Sequence, residues 1–350
     1  MKRWLSVVFT FLFLTSAAAA QQASPPPAAA PPSAATSPEF LKAADEVLAD
    51  MSKLLDLPVK EPLKKSLRTR QEIREYLVKE MQEDRTPDER YADQKTLEAF
   101  GLIPKNFPLE SFLLDLLTEQ VAGLYDPKSK EFYIAEWIPI EEQRVVMAHE
   151  LTHALHDQNF GLEKWEKAAR PNDDAELARG AVIEGSALAA MLDYAFRDQK
   201  MSVRALPDIT DLLRTQALSE MTKDAQLAKA PLVIKDELLF PYLRGASFSQ
   251  QVLKANSGWS DFKKVFENPP VSTQQILHPE LYLTGMKAMP VVMPDLKGVV
   301  PVEWKMLEEN VFGEFGLHEV LKQFLGEERA ARLSPAWAGD RYAVFESEKT

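Results

Sequence analysis

The chain has 350 residues, of which 45% are hydrophobic and 27% are charged, and it contains no cysteine. This composition is typical of a globular protein, and the absence of thiols excludes disulfide frameworks, cysteine-ligated zinc sites and cysteine nucleophiles. The formal net charge of −12 is unfavourable for contacts with phosphate backbones, so we expect no nucleic-acid partner.

The first twenty residues have the layout of a secretory signal peptide. Lys2 and Arg3 precede an apolar run that ends at Leu14, and small residues follow up to Ala20, where we expect cleavage. The apolar run is shorter than the roughly 20 residues of a membrane-spanning helix, although an uncleaved anchor is the alternative interpretation. We expect an exported protein, periplasmic or secreted, without stable membrane insertion. Residues 21–38, rich in Ala and Pro, predict a disordered linker.

The N-terminal part of the folded chain, residues 39–118, is predicted to be helical. Apolar residues recur at helical spacing over 38–56, and residues 61–84, with dense mixed charge, also suggest a helix. The sequence Thr86-Pro87-Asp88-Glu89 combines a capping box with a proline at the first helical position, which predicts a helix start. A further helix is expected over Leu109 to Gln120.

A β-hairpin is predicted next. Two short β-prone runs, 121–125 and 131–135, flank the turn sequence Asp126-Pro-Lys-Ser-Lys130. Helical periodicity resumes at about Ile140. The edge of such a hairpin could bind an extended peptide by strand addition, or the hairpin could serve packing alone.

The remaining sequence is predicted as helices that Pro and Gly interrupt. Residues 288–304 are rich in Val and Pro and suggest one or two strands, and residues 341–345 suggest a final strand. The predicted fold class is α+β, mostly α, in which helices carry the site beside a small antiparallel sheet or hairpin. We expect a site-bearing region over 119–346, after the helical region 39–118.

The sequence His149-Glu150-Leu151-Thr152-His153 carries the chemistry of a metal site within a helical pattern. Residues four apart share one helix face, about 5–6 Å apart at Cβ, so both imidazoles can reach one ion at a Zn–N distance of about 2.0–2.1 Å. Glu150 can then accept a proton from the attacking water. We expect one Zn²⁺ per chain. The alternative is two helix histidines without a metal.

A third ligand is expected from the helix predicted over residues 173–196. Glu184 lies inside an apolar stripe of this helix, where a carboxylate is costly unless it is paired or bound to a metal. Glu176 is the rival ligand, but its spacing from Asp173 is that of a capping box, which explains it without a metal. The prediction is therefore Glu184. The stripe consists of Leu177, Ala181, Leu188, Met191 and Ala195.

Two polar residues follow the motif on the same helix. His156 is one turn too far along to share the ion with His153, so we interpret it as a cleft or surface histidine. Asp157 either accepts a hydrogen bond from a ligand imidazole or is a solvated charge at the helix end.

Hydrolysis also needs a donor for the oxyanion of the tetrahedral intermediate. The candidates are Tyr242 and His278. Tyr242 is alternatively a buried core residue. His278 is alternatively the C-terminal cap of a short helix, which a capping box at Ser272-Thr-Gln-Gln275 is predicted to start.

The motif with Asp157 resembles the motif helix of thermolysin-type gluzincins over about a dozen residues. Thermolysin's third-ligand segment Asn-Glu-x-x-Ser-Asp is replaced by Ile183-Glu-Gly-Ser-Ala187, which indicates another gluzincin group. From about residue 110 to its end, the chain resembles a bacterial peptidase-MA-like family of exported HExxH proteins. The shared segments are the Ala122–Pro127 hairpin, Glu-Gly-x-Ala at the third ligand, Pro269–Pro279 and Gly339–Tyr342.

This resemblance implies a gluzincin fold and zinc-dependent hydrolysis of peptide bonds in a peptide or protein substrate. The first hypothesis is therefore an exported zinc metallopeptidase, with the ion held by His149, His153 and Glu184. A second is a non-catalytic zinc-containing envelope protein that only binds in its cleft. A third is a helical interaction protein in which the motif is coincidental.

Overall fold

The computed structural model describes residues 38–120, 123–135, 140–221 and 225–347. The fold is α+β and mostly helical, as predicted. The elements of the first half are α1 (Pro38–Leu55), β1 (Lys64–Arg68), α2 (Arg70–Asp84), α3 (Pro87–Ala99), α4 (Leu109–Gln120), β2 (Gly123–Asp126), β3 (Glu131–Ala135), α5 (Ile140–Phe160), α6 (Leu162–Lys167) and α7 (Asp173–Phe196). Those of the second half are α8 (Thr210–Met221), α9 (Ala225–Lys229), α10 (Leu232–Ala255), α11 (Trp259–Glu267), α12 (Thr273–Leu277), α13 (Pro279–Leu283), β4 (Trp304–Asn310), α14 (Gly313–Leu325), α15 (Glu327–Leu333) and β5 (Tyr342–Ser347).

Some predictions concern residues outside the described ranges. These are the signal peptide over 1–20, the linker up to residue 37, and the first two residues of the predicted hairpin, Val121 and Ala122. No helix within the described ranges combines the length and the apolar character that a bilayer crossing requires.

Helix starts follow the local capping signals. The Thr86 hydroxyl accepts a hydrogen bond from the Glu89 backbone, and the Glu89 carboxylate accepts one from Thr86, with Pro87 in the first turn of α3. Helices α1, α4, α5 and α7 and the hairpin β2–β3 are confirmed within the described residues. These elements could be predicted because their signals lie within a few residues of each boundary.

The prediction of one helix over residues 61–84 is wrong. Lys64–Arg68 forms strand β1, and α2 begins only at Arg70. β1 pairs in parallel with β3, with Leu67 opposite Ile134. Since β3 is distant in sequence, no local pattern indicated this pairing, and tertiary context outweighed helix propensity.

The strand prediction over residues 288–304 is also largely wrong. β4 begins at Trp304 and continues to Asn310, where it pairs antiparallel with β5. Three prolines interrupt the Val-rich segment before β4, and proline cannot donate a backbone hydrogen bond to a sheet. The predicted final strand is confirmed as β5, one residue later than expected.

The three-stranded sheet has the order β1-β3-β2, so the predicted antiparallel hairpin is extended by one parallel strand. Strand β2 packs directly against α5. A Cβ atom added at Gly123 would lie 2.9 Å from Val146 Cγ1 and 3.2 Å from Glu150 Cγ. Only glycine at this position allows the strand to approach the motif helix so closely.

Helix α7 packs between α5 and α10, and α1 covers α5. The hydrophobic core includes residues from both sides of position 118. Phe40 of α1, for example, stacks on Phe132 of β3 with ring centroids 6.1 Å apart. At the crossing of α7 and α10, a Cβ on Gly185 would overlap the Gly245 backbone. These two glycines therefore set the helix separation beside Glu184.

We expect Gly245→Ala to lower the free energy of unfolding by about 3 kcal/mol, because the added methyl group would overlap the carbonyl of Ala181 and force the helices apart. Urea unfolding followed by circular dichroism measures this. Lys254→Ala, at an exposed position of α10, is the control and should change stability by less than about 0.5 kcal/mol. Equal stability of the two variants would contradict the close crossing.

Candidate metal centre

Two motif histidines project from one face of α5. His149 and His153 are both buried, and their Nε2 atoms lie 3.0 Å apart. The four-residue spacing on a helix produces this approach, as predicted. Within the described residues, the Nδ1 atom of each imidazole is buried and has no hydrogen-bond partner.

Glu184 of α7 completes a group of three donors. Its Oε2 atom lies 3.1 Å from His149 Nε2 and 3.4 Å from His153 Nε2. Ligand atoms at zinc distances in a tetrahedron are roughly 3.3 Å apart, which is close to all three separations. These residues can therefore hold a metal ion.

The charges around the group favour an ionised carboxylate. Burial by itself would raise the pKa of Glu184, but His153 and His149 outweigh it and lower that pKa to about 2. Burial likewise opposes a charge on His153, yet Glu184 raises the pKa of this imidazole. Glu184 is only 2% exposed, so its negative charge depends on these partners or on a metal ion.

Glu150 lies beside the three donors. It is buried and lines the same cleft as His153 and Glu184. Its Oε2 atom accepts a hydrogen bond from the backbone N–H of Tyr125 in strand β2, at 2.9 Å. The close packing of β2 on α5 thus fixes the direction of this carboxylate.

The cleft has apolar walls and acidic groups. Its apolar lining residues are Tyr76, Leu77, Leu124, Tyr125, Pro127, Leu162 and Ile183. Besides Glu150 and Glu184, its acidic lining residues are Glu80, Asp84, Glu163 and Glu166. Strand β2 and helices α2, α6 and α7 therefore surround the opening beside the donors.

The predictions for the two residues after the motif are wrong. His156 is a core residue, with its ring 4.6 Å from that of Phe266, and burial lowers its pKa to about 3. Asp157 accepts hydrogen bonds from the Tyr125 hydroxyl and from the Leu162 backbone, both at 2.9 Å, and from no imidazole. Asp157 therefore ties β2 and α6 to the motif helix.

Glu176 lies outside the donor group, but the capping-box explanation for it is wrong. Asn172 caps α7 instead, by accepting a hydrogen bond from the Ala175 backbone. The Glu176 carboxylate is buried and forms ion pairs with Arg85 at 3.3 Å and Arg170 at 2.9 Å. Sequence could not show these cations, because both lie outside α7.

The two predicted oxyanion donors lie in different places, and neither is among the residues that line the cleft. Tyr242 is buried, and its ring stacks on His149 with centroids 6.1 Å apart. His278 lines another cavity, where its Nε2 lies 2.8 Å from a Glu314 oxygen and this hydrogen bond raises its pKa. The capping box predicted at Ser272 is absent, because its side chain makes no capping bond.

The segment around Thr273 is held by hydrogen bonds to another helix and not by a capping box of its own. The backbone N–H and the hydroxyl of Thr273 donate to the Asp174 carboxylate at the start of α7. Similarly, Asp340 accepts hydrogen bonds from the backbones of Phe312 and Gly313. Residues 269–279 are thus tied to the start of α7, and residues 339–342 to the start of α14.

A second acidic group, Asp93, Asp173 and Glu308, also has oxygen atoms close together. Arg85 supplies positive charge there, 2.9 Å from Asp173 and 3.9 Å from Glu308. Burial, together with the two aspartates, raises the pKa of Glu308 to about 7. Sequence analysis missed this group, because its members come from α3, α7 and β4.

Sequence analysis also missed Tyr125, which contacts both Glu150 and Asp157. The only available signal was the Gly-x-Tyr-Asp pattern of the hairpin.

Comparison with protein-family models, curated proteins and solved structures finds no match to the chain.

Proposed function

We propose that the chain is an exported zinc-dependent metallopeptidase that hydrolyses peptide bonds in a peptide or protein substrate. The observation that carries the proposal is the convergence of three donor atoms, from His149, His153 and Glu184, at separations of 3.0 to 3.4 Å. Glu150, buried beside them, supplies the acid–base group that a hydrolase needs.

The choice of zinc follows from the donor set. Two imidazole nitrogens and one carboxylate are the protein ligands of thermolysin-type catalytic zinc sites, which keep a fourth position for water or substrate. Neutral imidazoles that bind through Nε2 carry their proton on Nδ1. A zinc ion held here would lower the pKa of a water molecule and polarise the scissile carbonyl group.

Glu150 would transfer the proton in this reaction. Its carboxylate accepts a proton from the attacking water and then donates the same proton to the leaving amine. The hydrogen bond from the Tyr125 backbone to Oε2 holds the carboxylate in place beside the three donors. Tyr242 and His278 do not line the cleft, so this mechanism does not use them.

Strand β2 supports a peptide as the substrate. Within the described residues, its only strand neighbour is β3, and its Leu124 and Tyr125 line the cleft. An extended peptide could add to this edge next to Glu150. Residues 1–20 support export, since they have the layout of a signal peptide.

The test is cleavage of envelope peptides by the purified, zinc-loaded protein, followed by profiling of newly formed peptide N-termini. We expect new N-termini that disappear with a metal chelator and return when zinc is restored. New N-termini that persist in the chelator would contradict the proposed metal chemistry. A protein that holds one zinc ion and cleaves no peptide would instead favour the non-catalytic binding protein.

A further inference from the structure

A larger cavity lies between α8, α10, α14 and α15, with a volume of about 800 Å³. Among the described residues, it shares no lining residue with the metal cleft. Leu239, Phe240 and Leu243 of α10 and Phe315 of α14 contribute apolar walls. Its size and apolar lining are those of a small-molecule site.

Lysine and histidine side chains contact several of the acidic groups that line this cavity. Lys322 Nζ lies 2.8 Å from an Asp236 oxygen and 3.0 Å from a Glu327 oxygen. His278 Nε2 lies 2.8 Å from a Glu314 oxygen. Lys322 thus compensates negative charge on Asp236 and Glu327, and His278 supplies a hydrogen bond to Glu314.

Two further lining residues make the net charge of the cavity lining more positive. Burial and the neighbouring Asp236 raise the pKa of Glu319 well above its usual range, which disfavours a negative charge on this carboxyl group. Arg214 lines the cavity, is half exposed, and lies 4.0 Å from Glu327. The cavity therefore contrasts with the chain as a whole, whose net charge is −12.

Arg244 is the cationic lining residue for which these contacts provide no ion-pair partner. It is half-buried in the cavity lining, and within the described ranges its guanidinium makes no hydrogen bond and no ion pair. Asp208 and Asp211 line an adjoining cleft with Arg244, but neither forms an ion pair with it. Burial and the nearby Arg214 lower the pKa of Arg244, and the more distant carboxylates of Glu327, Asp208 and Asp211 offset this only in part. A guanidinium with five donors is costly to bury without an anionic partner.

We propose that this cavity binds an organic carboxylate attached to a compact apolar group. The planar guanidinium of Arg244 would hold the carboxylate through two parallel hydrogen bonds, and the apolar group would pack against Phe240 and Phe315. The C-terminal residue of a peptide and a free fatty acid share this chemistry. The site is separate from the proposed metal centre and does not depend on peptidase activity.

The test is isothermal titration calorimetry of the full chain with N-acetylleucine, its uncharged C-terminal amide and octanoate. We expect at least one of the two carboxylates to bind, and the amide to bind at least about tenfold more weakly than N-acetylleucine if the source is a peptide. A preference for octanoate over N-acetylleucine would identify the fatty acid as the source. Absence of binding by both carboxylates would overturn the proposal.

Arg244→Gln should weaken binding of the preferred carboxylate by about tenfold or more, with unchanged zinc content. Arg332→Gln, at an exposed position of α15 outside the lining, is the matched control and should bind as the unmodified chain does. Arg244→Lys keeps the charge without the bidentate geometry and should retain part of the affinity. Unchanged binding by Arg244→Gln, or equal binding of N-acetylleucine and its amide without octanoate binding, would overturn the proposal.

Discussion

Replacing Glu150 with glutamine should abolish peptide cleavage and leave the bound zinc in place. Glutamine has nearly the same shape and can still accept the hydrogen bond from the Tyr125 backbone, but it cannot accept a proton from water. Loss of a general base typically lowers the rate about 10²–10⁴-fold. Zinc content by elemental analysis and cleavage rates on one fluorogenic peptide measure the two effects separately.

Glu163→Gln is the matched control, because Glu163 lines the same cleft and lies outside the donor group. We expect its cleavage rate to stay within a few-fold of the unmodified chain. Undiminished cleavage by Glu150→Gln would rule out its role as the base. Loss of zinc from Glu150→Gln would show instead that this carboxylate supports the metal site directly.

Glu184→Ala and His153→Ala should each remove the zinc ion. Each substitution leaves two of the three converging donors, and removal of even an outer hydrogen-bond partner of a metal ligand typically costs about 10–100-fold in metal affinity. We expect a loss of affinity of at least about 100-fold, measured by competition with a chromogenic chelator. The unmodified chain should hold one zinc ion and gain thermal stability from it, since ligand that binds only the folded state stabilises it.

Glu176→Gln is the informative control for this prediction, because it replaces the rival ligand on the same helix. It should retain zinc but lose stability, since Arg85 and Arg170 would each lose an ion-pair partner in a buried setting. Retention of zinc by Glu184→Ala together with its loss from Glu176→Gln would reverse the assignment of the third ligand.

The sequence by itself predicted the motif helix. It also predicted Glu184 as the third donor, because this carboxylate lies inside an apolar helix stripe. The first prediction rests on a local residue spacing, and the second on the free-energy cost of burying an unpaired carboxylate. Histidines four residues apart must share a helix face, and a carboxylate inside an apolar stripe needs a cation. The capping box at Thr86 could be predicted for the same reason, since it is complete within four residues.

Only the tertiary structure decided which distant groups meet. The helix predicted over residues 61–84 was nine residues too long, because β1 is a strand only through pairing with β3. Glu176 was misinterpreted because its arginines lie on other segments. His156 is a core residue because Phe266 of α11 packs against it. Arg244 gave no signal in the sequence, since a missing partner is visible only when every neighbour is known. Local periodicity thus determined the helices and the motif, while long-range packing decided burial, charge pairing and the second cavity.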